Sequence, residues 1–133
     1  MATQRKKRVF VVDDEHVIAQ TLAIILEQNG FDAIAFTNPL KALEAAQTDA
    51  PDLVVSDVMM PEMSGIHLGI ALRAQWPACK ILLFSGQSAT SDLLRSAREA
   101  GHQFELLSKP IHPTDLLTAI RSLSSDQSCI EAD

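Results

Sequence analysis

Five short, mainly apolar runs place the tightest limit on how this chain can fold. None of them alternates regularly between apolar and polar residues, and each is followed by polar or turn-forming residues. Successive side chains of a strand point to opposite faces, so a run without alternation indicates a strand that is buried on both faces. The predicted strands are 9–12, 31–36, 53–56, 81–84 and 104–107.

The segments between and after these runs have apolar residues at every third or fourth position, which is the spacing of one helix face. Pro39 and Pro113 each stand at a predicted first helical position, where a missing N–H costs nothing. Gly30 and Gly101 stand where a left-handed residue would end a helix. The predicted order is therefore strand then helix, five times.

This alternation predicts an α/β fold, namely a doubly wound, flavodoxin-like parallel sheet of five strands with five helices on its two faces. The simplest strand order is 2-1-3-4-5. The 133 residues fit one domain. We expect a basic lead at 1–6, the folded domain at 7–123 and a flexible polar tail at 124–133.

Charge and composition exclude several classes of protein. The net charge of −6 argues against direct nucleic-acid binding, which requires clustered lysines and arginines, and the only basic cluster is the local run 5–8. No apolar run approaches the roughly 20 residues of a membrane span, and no secretory signal is apparent. We therefore expect a cytoplasmic protein without a membrane contact. Cys79 and Cys129 are predicted to be free thiols.

Polar side chains follow four of the predicted strands at their carboxyl ends. Asp13 and Asp14 follow the first strand, Asp57 the third, Ser85 the fourth and Lys109 the fifth. In a doubly wound sheet, ligands bind at this edge, where the winding direction reverses between strands 1 and 3. One such residue alone would be a solvated turn or cap residue, but four strand ends that converge predict a functional site.

The residue types at this edge favour phosphoryl transfer. Three carboxylates in close proximity repel one another, and a divalent cation removes that penalty. Oxygen donors without Cys or His suit Mg²⁺. A metal ion, the Lys109 ammonium and the Ser85 hydroxyl would together stabilise the charge that spreads over the oxygens of a phosphoryl group moving to Asp57.

Four segments resemble the receiver domains of bacterial response regulators, and the resemblance covers about residues 7–123. They are VVDDE at 11–15, SDVMMPEMSG at 56–65, LFSG at 83–86 and SKP at 108–110. The resemblance implies that Asp57 is the phosphoacceptor and that Asp14 and Asp57 bind Mg²⁺ directly. It implies an indirect or water-mediated contact for Asp13, and a ligand role for the backbone carbonyl of Met59.

The resemblance also assigns roles to the last two strand ends and to partners. Ser85 would hydrogen-bond one phosphoryl oxygen and Lys109 would pair with another, with the bond from Lys109 to Pro110 in the cis form. The phosphodonor would be a sensor histidine kinase or a phosphotransfer protein. The recipient of the signal would be a downstream protein or a missing output domain, and phosphorylation-dependent homodimerisation is compatible with the family.

One position departs from the family pattern. Receivers resemble one another in an aromatic residue three positions before the lysine, where this chain has Leu106. Phe104 lies two residues earlier, on the same face of the predicted strand. We expect phosphorylation to draw Ser85 inward, while the surface of the fourth helix, fifth strand and fifth helix changes by a different packing move. Whether Leu106 or Phe104 takes the switch role stays open.

Three other functions compete with that of a phosphorylated signalling module. A Mg²⁺-dependent aspartyl-phosphate hydrolase similar to the haloacid dehalogenase superfamily would need alternating aspartates and a cap domain. A flavodoxin-like cofactor binder would need a phosphate-binding loop where Asp13 and Asp14 stand. A pseudo-receiver would serve protein contacts alone. We expect a signalling module that assists its own phosphorylation and slow dephosphorylation, not an enzyme.

Overall fold

The computed structural model describes residues 6–132 except 86–89, 102–103 and 109–110, with side chains described outside 90–94 and 124–132. Five strands alternate with five helices, as the sequence predicts. The strands are β1 (Arg8–Val12), β2 (Asp32–Phe36), β3 (Leu53–Asp57), β4 (Lys80–Ser85) and β5 (Glu105–Ser108). The helices are α1 (His16–Gln28), α2 (Pro39–Thr48), α3 (Gly65–Gln75), α4 (Thr90–Glu99) and α5 (Pro113–Ala132).

The strands form one parallel sheet in the order β2-β1-β3-β4-β5, which confirms the predicted topology. The register brings the carboxyl ends of the central strands to the same level. Asp57 pairs with Phe84, and Ser85 pairs with Ser108. The predicted site residues on β3 and β4 therefore reach one edge of the sheet.

The sheet is covered on both faces, which explains the apolar runs. In β1, Val9 and Val11 belong to the core beneath α1 and α5, whereas Phe10 and Val12 belong to the core beneath α2, α3 and α4. All four side chains are at most 1% exposed. The run 9–12 thus has no polar position because neither face of β1 meets water.

Residues at the helix ends adopt the capping and left-handed conformations that the sequence predicts. Asn38 caps α2 directly before Pro39, and its side chain accepts a hydrogen bond from the backbone N–H of Leu40. Gly30 and Gly101 have φ values of 93° and 97°, in the left-handed region that favours glycine. These four residues fix where α1, α2 and α4 begin or end.

Several strand ends differ from the prediction by one residue, and two boundary differences bear on the interpretation of the chain. Strand β5 begins at Glu105, so Phe104 precedes it. Helix α5 continues to Ala132, so residues that we predicted as a flexible tail are helical along their backbone. The domain boundaries themselves stay a prediction. In the described part of the chain, none of the helices is both long and apolar enough to cross a membrane.

Candidate functional site

Three carboxylates meet at the carboxyl edge of the sheet. Each of Asp13, Asp14 and Asp57 offers one oxygen, and these oxygens lie within 4.8 Å of one another. Asp13 is fully buried and Asp57 is 6% exposed, whereas Asp14 is exposed. Two carboxylates of the cluster are therefore buried, and the third is exposed to solvent.

The end of β1 fixes Asp13 through its backbone and its side chain. Its N–H donates to the carbonyl of Phe36 at 3.0 Å, which extends the pairing of β1 with β2 by one residue. Its Oδ1 accepts a hydrogen bond from the N–H of Glu15 at 2.8 Å. This local bond turns the chain into α1, since Glu15 itself makes no side-chain cap.

The loop after β3 holds the backbone of Asp57 in place. The N–H of Val58 donates to the carbonyl of Phe84 at 3.1 Å, and the N–H of Gly65 donates to the carbonyl of Val58 at 2.8 Å. Ser56 Oγ donates to the Asp57 carbonyl at 2.9 Å. A Cβ at Gly65 would overlap that same carbonyl oxygen, so the close approach requires glycine.

The hydroxyl expected from β4 reaches the same edge. Ser85 is 7% exposed and stands one residue beyond Phe84, the β4 partner of Asp57. Neighbouring strands lie about 4.8 Å apart, so the backbone of Ser85 lies next to that of Asp57 at the carboxyl edge of the sheet. Lys109 and its bond to Pro110 lie outside the described residues, and their roles stay predictions.

The three methionines of the loop between β3 and α3 lie in different surroundings. Met60 and Met63 pack against the core beneath α2, α3 and α4. Met59 is 47% exposed, and the ligand role of its carbonyl stays a prediction. Ser64 caps α3, because its hydroxyl oxygen accepts a hydrogen bond from the N–H of His67 at 3.1 Å.

The two candidates for the switch position lie in different surroundings. Leu106 pairs with Leu83 on β4 and is 41% exposed. Phe104 packs toward Gly69 on α3, and the guanidinium carbon of Arg73 lies 4.6 Å from its ring centroid. The Phe104 ring is thus held between the sheet and α3.

Phe104 is also too far from the site to replace the missing aromatic by direct contact. Its ring lies beside Ile81, because a Cβ on Gly69 would be 2.8 Å from the ring and 3.1 Å from Ile81 Cγ2. Ile81 is four residues before Ser85, or about 13 Å along the strand. The contribution of Arg73 was not predicted, since no local pattern links it to Phe104.

The geometry of the carboxylate cluster is suited to a hard cation. All three donors in the cluster are carboxylate oxygens, the donor type that Mg²⁺ prefers. A cation there would offset the mutual repulsion of the carboxylates. The donor set and its spacing therefore fit the predicted metal.

Comparison with known proteins gives matches along most of the chain. The family model described as the response regulator receiver domain matches residues 9–121. The transcriptional regulatory protein CreB of Escherichia coli is 31% identical over 119 residues, which are 90% of this chain and 51% of CreB. The alkaline phosphatase synthesis transcriptional regulatory protein PhoP of Bacillus subtilis is 31% identical over 117 residues, 88% of this chain and 48% of PhoP.

Solved structures of receiver proteins have the same fold. The chemotaxis protein CheY4 of Vibrio cholerae superposes with a TM-score of 0.79 at 26% identity, covering 90% of this chain and 99% of CheY4. A receiver domain from Methylobacillus flagellatus gives a TM-score of 0.75 at 30% identity, with 90% and 99% covered. The chain spans the whole of these structures but only about half the length of the curated relatives.

Proposed function

Since this chain belongs to the family of response regulator receiver domains, we propose that it accepts a phosphoryl group on Asp57 in a two-component phosphorelay. The observation that carries the proposal is the approach of Asp13, Asp14 and Asp57 to within 4.8 Å at the carboxyl edge of the sheet. Structural ion pairing gives no reason to collect three carboxylates there, whereas a metal-assisted transfer does.

A Mg²⁺ ion would be held by Asp14, Asp57 and the Met59 carbonyl, with Asp13 in indirect contact. When bound, it supplies positive charge to the carboxylates and to the phosphoryl oxygens. The fit rests on the all-oxygen donor set.

The remaining steps belong to residues of the chain. A carboxylate oxygen of Asp57 forms a bond to phosphorus as the bond from phosphorus to the histidine nitrogen of the donor breaks, and the imidazole leaves with its electron pair. The Ser85 hydroxyl donates to one phosphoryl oxygen and the Lys109 ammonium pairs with another. Because Asp57 is 6% exposed, its surroundings limit the access of water to the acyl phosphate.

The proposed partners follow from the family and from the length of the relatives. The donor is a sensor histidine kinase or phosphotransfer protein, and the signal passes to a downstream protein or an output domain through the surface of α4, β5 and α5. Leu106 lies on that surface and is 41% exposed. The family is a signalling module. We also propose that the receiver unit covers residues 7–123 and that the protein is cytoplasmic. Phosphorylation would promote its homodimerisation.

Intact mass spectrometry tests the proposal. The protein is incubated with Mg²⁺ and a small phosphodonor such as acetyl phosphate, and we expect the mass of one added phosphoryl group. Asp57→Asn should abolish the addition, and EDTA should suppress it. The matched control is Asp115→Asn, an exposed residue in the first turn of α5, which should be phosphorylated like the wild type.

Three other outcomes would replace the proposal. Addition to Asp57→Asn at the wild-type level would place the phosphoryl group elsewhere. Turnover of many equivalents of a phosphomonoester would favour the aspartyl-phosphate hydrolase. If the wild-type protein gains no mass with Mg²⁺ present, the remaining interpretation is a pseudo-receiver that serves protein contacts alone.

A further inference from the structure

A second concave site lies at the opposite edge of the sheet, where the strands begin. A cavity of about 140 Å³ opens there between the starts of β1, β3 and β4 and the helix α5. Leu53 at its wall is the first residue of β3 and Asp57 is the last, so the two sites are separated by about 13 Å of strand. The cavity is therefore distinct from the carboxylate cluster.

The floor of this cavity is apolar. Val9, Phe31 and Leu53 line it and are each at most 8% exposed, and Leu123 of α5 contributes a half-buried wall. A cavity of about 150 Å³ with such a lining is large enough for one benzene ring. The floor can thus hold a single ring or a branched alkyl group.

The rim of the cavity is positively charged. Lys7 and Lys80 both line it, together with one carboxylate, that of Asp52. Asp52 Oδ2 accepts a hydrogen bond from the backbone N–H of Arg8 at 2.8 Å, so this carboxylate is tied to the start of β1. Two ammonium groups against one carboxylate leave an excess of one positive charge, in a chain whose net charge is −6.

We propose that this cavity binds a small apolar monocarboxylate, with its ring or branched chain on the floor and its carboxylate between Lys7 and Lys80. A neutral apolar molecule would leave the excess positive charge of the rim unbalanced. A dianionic phosphate would exceed the positive charge of the rim and would meet the Asp52 carboxylate. A monoanion with an apolar body matches both the floor and the rim.

Amide chemical shifts in a ¹H–¹⁵N spectrum test the proposal with benzoate as the probe. We expect saturable shifts at Lys7, Phe31 and Ala78, with a dissociation constant on the order of 1 mM for so small a ligand. Benzyl alcohol, which has the ring without the charge, and acetate, which has the charge without the ring, should each bind at least about fivefold more weakly. Asp57→Asn should bind benzoate like the wild type, because the two sites are separate.

Charge substitutions in the rim provide the matched comparison. Lys80→Gln and Lys7→Gln should each weaken benzoate binding about fivefold. Lys6→Gln removes the same charge from an exposed residue outside the cavity lining and should leave binding unchanged. Each variant's spectrum also reports whether it is folded.

Several results would overturn the proposal. Benzoate shifts that do not saturate, or that fall on amides remote from the cavity, would show that no site exists here. Equal affinities for benzoate and benzyl alcohol would show that the rim does not recognise a carboxylate. If Lys6→Gln and Lys80→Gln weaken benzoate binding equally, the change in affinity would reflect the net charge of the protein and not the rim of the cavity.

Discussion

Replacing Gly65 with alanine should displace the loop that carries the phosphoacceptor. The added Cβ would overlap the carbonyl oxygen of Asp57 and lie 3.0 Å from Ser56 Oγ. Non-bonded carbon contacts prefer about 3.5–4.0 Å, so the loop must retreat by at least about 1 Å. That movement would break the bond from the Gly65 N–H to the Val58 carbonyl, which is 2.8 Å long.

The expected loss of stability can be estimated from these contacts. Overpacking against backbone costs about 1–3 kcal/mol, and the lost hydrogen bond about 0.5–1.5 kcal/mol. Alanine recovers up to about 1 kcal/mol of helix propensity at the start of α3. Gly65→Ala should therefore lower the free energy of unfolding by about 2.5 kcal/mol at the centre of these ranges, as measured by urea denaturation, and should slow phosphorylation of Asp57.

Gly30→Ala is the control for this reasoning. Gly30 has a φ of 93° and no atom within 4 Å of a Cβ built there, so only backbone strain of about 1 kcal/mol is expected. The steric argument fails if Gly65→Ala is no less stable than Gly30→Ala. It also fails if Gly65→Ala is phosphorylated at the wild-type rate.

Three further predictions concern other parts of the fold. Gly69→Ala places a Cβ 2.8 Å from Phe104 Cε1 and should cost about 1–3 kcal/mol in urea denaturation, with part of the loss recovered in the double variant with Phe104→Leu. Ser64→Ala removes the cap bond from the His67 N–H and should cost about 0.5–2 kcal/mol, whereas Ser64→Asp should retain most of it. Burial raises the pKa of the Cys79 thiol from 9.0 to about 12, so between these pH values only the unfolded thiol ionises and stability should fall as pH rises. Cys79→Ala should remove that part of the alkaline decline, and an unchanged slope would contradict the assignment.

Much of the fold could be predicted because its strongest signals are local. The run 9–12 lacks alternation because β1 is buried on both faces, and Gly30 and Gly101 occupy left-handed positions that other residues rarely adopt. The site residues Asp13 and Asp57 were predicted because parallel strands deliver their ends to one edge. These inferences need only neighbouring residues and the topology.

Features that depend on contacts between distant segments could not be predicted. Phe104 was expected on β5, but its ring packs against Gly69 and beneath Arg73, which are contributed by α3. No local pattern in the sequence shows that Gly65 approaches the carbonyl of Asp57. The continuation of α5 to Ala132 was not predicted either, because a polar segment lacks the apolar residues whose spacing indicates a helix.

Locating the phosphoryl group on the chain tests the central claim most directly. After phosphorylation with Mg²⁺, borohydride reduces an aspartyl phosphate to homoserine, which peptide mass spectrometry assigns to one position. We predict homoserine at position 57 alone, at a level that falls with Asp14→Asn because the cluster loses a carboxylate. Homoserine at another aspartate, or none at position 57 in protein that carries a phosphoryl group, would contradict the account.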